Sequence, residues 1–236
     1  MFQTEEDKSC QSRLLSSLGP GANSGVGLDT ATRLCSMGHD VVISVRDSAK
    51  GVATIETIRK TVPQATVMYI TMELSDPQSI RDFETQFKET GKKLNVLINN
   101  AGRFDDKKRY TARKDPVLEL TMITNCMGPF LLTNLLLDDL KASASLSVPS
   151  RIVNVSSMIT SKRQSAPFYI DDLMLAQPGS HVNGLHTYRN SKLALNLWSN
   201  QLALTLAGTN VAVNTVGPGF IPSTNLGRDF RSSGCM

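Results

Sequence analysis

Cysteine is scarce in this 236-residue chain. There are four, Cys10, Cys35, Cys126 and Cys235, all far apart. No CxxC pair exists and no histidine stands at ligand spacing from a cysteine, so neither a disulfide framework nor a metal site is indicated. Cys35 falls in an amphipathic pattern and Cys126 in an apolar one, which predicts buried thiols and favours a reducing compartment. No apolar run approaches the roughly 18 residues needed to span a bilayer. The opening stretch, MFQTEEDKSC, is acidic and polar, unlike a secretory leader. A chain of this kind is expected in the cytoplasm. No basic block or aromatic-interleaved stripe accompanies the net charge of +4, so nucleic acid is not an expected partner. His39, His181 and His186 carry no partner pattern and read as surface or turn residues.

What is present is a globular composition, 40% hydrophobic and 19% charged, enough for a substantial core in one α/β domain. Short apolar runs alternate with amphipathic segments. Helices are expected over Gly25 to Met37, Lys50 to Lys60, Pro77 to Glu89, Asp115 to Lys141 (with an interruption near Gly128-Pro129) and His186 to Leu206. Strands are expected over Val41 to Val45, Ala65 to Met72, Leu94 to Ile98, Arg151 to Val155 and Val211 to Val216. Strands alternating with helices imply parallel pairing, and continuous apolar strands imply a sheet covered on both faces. The expected fold is a doubly wound, mostly parallel α/β sheet. The stretch Met158 to Thr187 breaks the alternation and reads as a functional loop on the substrate side.

Gly21-Ala22-Asn23-Ser24-Gly25-Val26-Gly27 opens the first helix. Glycines at this spacing allow a tight turn and a close backbone approach to a pyrophosphate on the positive helix N-terminus. About 20 residues further on, an NAD site would carry an acid for the ribose hydroxyls. Here Val45-Arg46-Asp47 stands instead. Arg46 could pair with a 2′-phosphate, which favours NADP(H) and leaves NAD(H) as the alternative. The plainer reading makes Arg46 a solvated strand-end residue and Asp47 a helix cap.

Tyr188 and Lys192 stand four apart in Tyr188-Arg189-Asn190-Ser191-Lys192, so they share one helix face. A free phenol titrates near pH ~10 and moves few protons at neutrality. A nearby ammonium favours the phenolate, which makes the pair a proton-transfer device.

In order along the chain come the Gly21 to Gly27 turn, Asn99-Asn100-Ala101-Gly102, Asn125 in a long helix, Asn154-Val155-Ser156-Ser157, Tyr188 with Lys192, and Pro218-Gly219. This series resembles the short-chain dehydrogenase/reductase family over roughly residues 21–226, in flavour its retinol-dehydrogenase-like and WW-domain-oxidoreductase-like branch. The resemblance implies a Rossmann-like fold and a single dinucleotide-binding and catalytic domain over 20–226, after an atypical lead-in (1–19) and before a short tail (227–236). It implies hydride transfer between NADP(H) and a small apolar carbonyl or alcohol. Tyr188 would exchange the hydroxyl proton, Lys192 would lower its pKa and bind the nicotinamide ribose, and Ser157 would hold the substrate oxygen. Asn125 would hold a water linking Lys192 to solvent. Asn100, Ala101 and Gly102 would line the cofactor, with Glu73-Leu74 near the adenine and Pro218, Gly219, Ile221 and Ser223 at the nicotinamide. Family members often pair as homodimers through the long helices.

Two departures stand out. The lead-in Ser12 to Pro20 replaces an apolar strand; Leu14, Leu15 and Leu18 are spaced more like a helix, and proline is rare in a central strand. A degenerate first strand is therefore expected. After Val216 the chain has 20 residues where the family usually adds a helical segment and a further strand. One sheet edge is expected to be missing, as in a truncated or alternatively spliced form. The competing reading is a catalytically silent dinucleotide-binding or interaction protein.

Overall fold

The computed structural model describes residues 14–15, 25–105, 110, 118–160, 168–175, 183–219, 221, 224 and 226. Among the described residues six parallel strands form one sheet: β1 (Leu14–Leu15), β2 (Val41–Val45), β3 (Val67–Thr71), β4 (Val96–Asn99), β5 (Ser150–Val155) and β6 (Val211–Val216). Their order is β3-β2-β1-β4-β5-β6. Order reverses between β1 and β4, which makes this the doubly wound arrangement with its switch point there. The described part of β1 is a strand of two residues. Leu14 and Leu15 pair with Val41 and Val42, and Leu15 also with Leu97. β6 has one strand neighbour among the described residues, and Asn214, Thr215 and Val216 are exposed along it.

Alternation within β2 builds two cores. Val42 faces one side with Ile70, Leu97, Ile152, Phe83, Phe87, Leu132 and Leu140. Val41, Ile43 and Val45 face the other with Ala31, Ile58, Val67 and Ile98. Helices α1 (Gly25–Ser36) and α2 (Ser48–Thr61) cover the second face. Helices α3 (Pro77–Glu89), α4 (Leu120–Leu135), α5 (Leu137–Ser143) and α6 (Gly184–Thr205) cover the first. All five residues of β2 are buried, as two-sided coverage demands. Asp47 and Asp76 cap α2 and α3 by accepting the Lys50 and Gln78 backbone N–H groups.

Helix α4 departs from expectation. Its described part starts at Leu120, and residues 115–117 lie outside the described residues. The chain bends by 53° between α4 and α5, at Leu136 rather than at Gly128-Pro129. Near the latter the helix instead widens to a π turn, Ile123–Met127, in which Gly128 N–H donates to Ile123 O. Pro129 explains it: lacking an N–H, it cannot give Asn125 O its α-helical bond. Gly128 is required for a second reason. A Cβ there would lie 2.5 Å from Leu74 O, a backbone atom that cannot step aside.

No single helix among the described residues is long and apolar enough to cross a membrane. Cys35 and Cys126 are buried free thiols; Cys10 and Cys235 lie outside the described residues.

Gly51 in α2 offers a test of packing. Replacing an interior helical glycine with alanine normally stabilises by about 0.5–1 kcal/mol. Here the added Cβ would stand 2.5 Å from Tyr69 Cγ, and overpacking costs about 1–3 kcal/mol. The clash wins. We predict that Gly51→Ala lowers Tm by roughly 2–8 °C, and that the loss disappears when Tyr69 is Val in the same chain. Thermal unfolding of the four variants of this cycle checks it; an unchanged or raised Tm for Gly51→Ala alone refutes it.

Candidate functional site

A parallel sheet of this order gathers ligands in the crevice outside the carboxyl ends of its strands, near the switch point. The described motif residues converge there. Asn100, Ala101 and Gly102 follow β4; Ser156 and Ser157 follow β5; Gly217, Pro218 and Gly219 follow β6; Gly25 opens α1. Gly25 has φ +59°, and Gly219 φ +77°, backbone conformations that favour glycine. A Cβ on Gly25 would lie 2.8 Å from Thr224 Cγ2, so Thr224 stands on the start of α1. A Cβ on Gly102 would lie 3.8 Å from both Lys192 Nζ and Leu226 Cδ2. Ala101 is buried, Asn100 half-buried and Gly102 exposed.

Helix α6 presents Tyr188 and Lys192 to the end of β5. Lys192 Nζ donates to Val155 O at 2.7 Å, and the Tyr188 phenol hydrogen-bonds Ser157. The spacing is physically matched. Four residues of helix rise about 6 Å, and two residues of extended backbone about 6.5 Å, so a helix running back along the strand meets Ser157 and Val155 with one face. Phe104 packs edge-on against Tyr188, with ring centroids 5.9 Å apart. Tyr188 is 3% exposed and Lys192 1%.

Burial sets the titration of both groups. It pushes the Tyr188 phenol up to about 12, against the hydrogen bond from Ser157, which pulls it down. It pushes the Lys192 ammonium down to about 8, against a weaker opposing effect of Cys126. The sequence led us to expect Lys192 to lower the phenol's pKa. In this geometry the ammonium sits 5.9 Å from the centre of the Tyr188 ring, and the opposing pull comes from Ser157.

Asn125 lies in the π turn, fully buried. Its Oδ1 accepts from Arg103 N–H at 2.7 Å, and its Nδ2 donates to Arg103 O at 2.9 Å and Ser191 Oγ at 3.0 Å. Both amide hydrogens are thus occupied, and a water would find the Asn125 backbone carbonyl rather than its side chain.

Beneath this, a chain of buried amides joins the elements that carry the site. Asn99 Nδ2 donates to Asn154 Oδ1 at 2.7 Å and to Thr133 Oγ1 at 3.1 Å. Asn154 Nδ2 donates to Ser199 Oγ at 2.8 Å. Asn99 and Asn154 are register partners on β4 and β5.

Other expected residues stand apart from this cluster. The Leu74 side chain is in the core with Ile80 and Phe83, and its carbonyl oxygen and Cβ lie against Gly128. Glu73 Oε1 accepts from Ser75 N–H and Ser75 Oγ, closing its own turn. Arg46 is exposed at the end of β2, and Asp47 is the helix cap of the plainer reading. Val26 is half-buried and Gly27 buried on α1, and Ile221 is half-buried. Gly21, Asn23, Ser24 and Ser223 lie outside the described residues. Between Met158 and Thr187 the described parts hold two short 3-10 turns, Met158–Thr160 and Ile170–Asp172, and the start of α6 at Gly184.

Sequence reasoning passed over Ser191, Arg103 and Phe104. Arg103 meets Asn125 through its backbone, which no side-chain pattern reveals, while its side chain pairs with Asp105. Ser191 was visible in principle, three residues after Tyr188 and therefore on its face.

Comparison with known proteins agrees with this geometry. Residues 20–169 match the short chain dehydrogenase family model. Human retinol dehydrogenase 12 is 39% identical over 203 residues, covering 86% of this chain and 60% of that protein. The chloroplastic short-chain dehydrogenase TIC 32 B of Brassica napus is 36% identical over 236 residues, covering 98% of this chain and 71% of that protein. A variant of actinorhodin polyketide ketoreductase solved with NADPH superposes with a TM-score of 0.69 at 25% identity, over 94% of this chain and 76% of that one. The chain spans about 60% of the length of the first of these relatives. By family match, sheet order and site geometry together, this chain belongs to the short-chain dehydrogenase family.

Proposed function

We propose that the chain binds NADP(H) and transfers hydride between the nicotinamide and a small apolar carbonyl or alcohol of retinoid, steroid or aldehyde type. The observation that carries this reading is the joint placement of Tyr188, Ser157 and Lys192 at the end of β5, beside the Gly102 turn. The residues present fit a dinucleotide. Gly25 at the start of α1 and the exposed Gly102 leave the backbone open to a close approach, and the half-buried Asn100 and buried Ala101 floor the crevice between them. Pro218, Gly219 and Ile221, with Ser223, would border the nicotinamide, and Arg46 would meet a 2′-phosphate. The NADPH bound to the related ketoreductase supports the choice of cofactor. When bound, the nicotinamide supplies or accepts the hydride.

The protein's own part is to orient and to move a proton. Ser157 Oγ and the Tyr188 hydroxyl converge on one point, where a carbonyl oxygen would accept from both as negative charge develops on it. Burial keeps the Tyr188 phenol protonated at neutral pH and ready to donate. Lys192 keeps a positive charge 5.9 Å from the ring centre, which favours the phenolate left after donation. The Asn125 backbone carbonyl, deprived of an α-helical partner by Pro129, is the acceptor for a water that returns a proton toward Lys192. Retinoid-like substrates are suggested by the named activity of the human relative.

We also place the catalytic unit at 20–226 as one domain, with 1–19 as lead-in and 227–236 as tail, and the protein in the cytoplasm, consistent with its free thiols. Phe130 and Leu197, 44% and 53% exposed, lie on α4 and α6 and are the apolar surface through which a homodimer would form. A second reading, dinucleotide binding without turnover, draws on the proline at position 20, just before the Gly-rich turn.

NADPH titration against the purified chain is the first test. We expect saturable binding that prefers NADPH to NADH, and a preference reduced roughly 10- to 100-fold by Arg46→Ala, the loss of one charge-assisted contact. Binding of neither cofactor by the folded chain overturns the reading. Tyr188→Phe should leave NADPH affinity intact and lower kcat by roughly 10²- to 10⁴-fold; a parent that binds NADPH but turns over none of a panel of aldehydes and ketones supports the silent reading.

The pH profile gives a third expectation. Lys192 is charged below its pKa of about 8 and neutral above it. The Tyr188 phenol, at about 12, stays protonated throughout. Carbonyl reduction should therefore show kcat/KM constant through neutrality and falling above about pH 8. Lys192→Arg should remove that limb, because guanidinium stays charged. A limb unchanged in Lys192→Arg assigns it to another group.

A further inference from the structure

The motif residue that no role above has absorbed is Ser191. It is fully buried, between Tyr188 and Lys192 on α6. Its hydroxyl donates to Tyr188 O at 2.7 Å and accepts from Asn125 Nδ2 at 3.0 Å. The same Asn125 side chain grips Arg103 through both its N–H and its carbonyl. A continuous run of hydrogen bonds therefore passes from the backbone just beyond Gly102, through the π turn, to the backbone of Tyr188.

The polarity of this run is fixed. Ser191 has one proton, and it is committed to Tyr188 O. Its lone pair must then meet a donor, which selects the Nδ2 side of Asn125. That choice turns Oδ1 toward Arg103 N–H. Reversing any one of these groups leaves two acceptors or two donors face to face in a site with no solvent to repair it. The run is thus a spacer with one allowed arrangement, and its two ends are the strand end that lines the crevice and the first turns of the helix that carries the proton donor.

We propose that Ser191 is a positioning residue, whose hydroxyl locks the Tyr188 turn of α6 to the Asn125 π turn and thereby sets how far the phenol stands from the Gly102 side of the crevice. The role rests on the oxidoreductase reading given above. Ser191 does not touch the reacting atoms; it acts through Tyr188 and Asn125. Other helical hydroxyls in the chain bond their own backbone, as Thr54 does to Lys50 O at 2.7 Å. That bond lies on the far face of the sheet and links nothing to the site, which makes Thr54→Ala a control for the simple loss of a hydroxyl-to-carbonyl bond.

The test compares Ser191→Ala, Ser191→Thr and Thr54→Ala in the full chain, with kcat, KM for NADPH and Tm measured on each. The chain is also labelled with ¹³Cζ-tyrosine, and the Tyr188 resonance is assigned by its absence in Tyr188→Phe. Ser191→Ala is expected to lower kcat roughly 10- to 100-fold, the penalty of a misplacement near 1 Å, with KM for NADPH within about threefold of the parent's. The Tyr188 resonance and its titration midpoint should move. Threonine keeps the hydroxyl and bonds the preceding turn in the same way, so Ser191→Thr should recover kcat and the parent resonance. Thr54→Ala should lower Tm and leave kcat unchanged. A Ser191→Ala kcat within about twofold of the parent's overturns the proposal, as that change is below any geometric penalty. If the parent itself shows no turnover, the oxidoreductase reading has failed and the resonance alone decides: an unmoved Tyr188 signal in Ser191→Ala overturns the positioning role, and a moved one sustains it.

Discussion

An ammonium group with almost no access to water organises this molecule. Lys192 is held by the carbonyl of Val155, the last residue of β5, and burial costs a cation several kcal/mol unless it is compensated. That constraint fixes the approach of α6 to the sheet. Once Lys192 is seated, the helix rise delivers Tyr188 to Ser157 without further adjustment. The pKa of Lys192, brought to about 8 by burial, records the same constraint electrostatically: the fold holds this charge where it is only just retained at neutral pH. A site of this kind changes its charge state readily when its surroundings change.

Around this contact, the structure secures its geometry with amides rather than ion pairs. Asn99, Asn154, Ser199 and Thr133 join β4, β5, α4 and α6 in the interior, and Asn125 with Ser191 repeats the device one layer nearer the crevice. Amides suit this task because they present a donor and an acceptor in one plane, so each partner restricts the next. Arg33 with Asp29 lies at the surface, where ion pairs contribute little; Arg103 with Asp105 is part-buried, one residue beyond Gly102. The part of the site's rigidity that rests on these amides is insensitive to salt, while affinity for a phosphate-bearing ligand through the exposed Arg46 would not be.

Much of this was legible in the sequence. The period of apolar residues gave the strands β2, β3, β5 and β6 and the helices α1, α2, α3 and α6 to within about two residues, because two-sided burial leaves an unbroken apolar run. β4 starts two residues later and ends one later than expected, since Leu94 is a core residue that precedes the strand and Asn99 a polar one inside it; buried amides are invisible to a hydropathy pattern. The leucines of the lead-in are spaced more like a helix, and a degenerate first strand was expected there; Leu14–Leu15 pairs with β2 and β4. Tyr188, Lys192 and Ser157 were singled out for their side-chain chemistry, and the fold brings the three together at the end of β5. Leu74 marks the limit of such reading, because its side chain belongs to the core and a side-chain pattern says nothing of its backbone. Arg103 was harder to find, since it meets Asn125 through its peptide groups and its side chain pairs with Asp105.

The π turn at Ile123–Met127 amounts to one surplus residue in an otherwise regular helix. Each residue of an α-helix advances the azimuth by about 100°, so the surplus sets the face of Leu120–Met122 out of phase with that of Gly128–Leu135. Asn125 reaches Arg103 and Ser191 from within this phase slip. Loss of any single residue from the turn would restore a continuous helical ladder and swing Thr121 and Met122, both buried, off the face that α6 covers. The helix could not absorb such a deletion as a loop would; a one-residue length change here is a change of sidedness, and it would dismantle the Asn125 contacts while leaving the composition of the chain almost untouched.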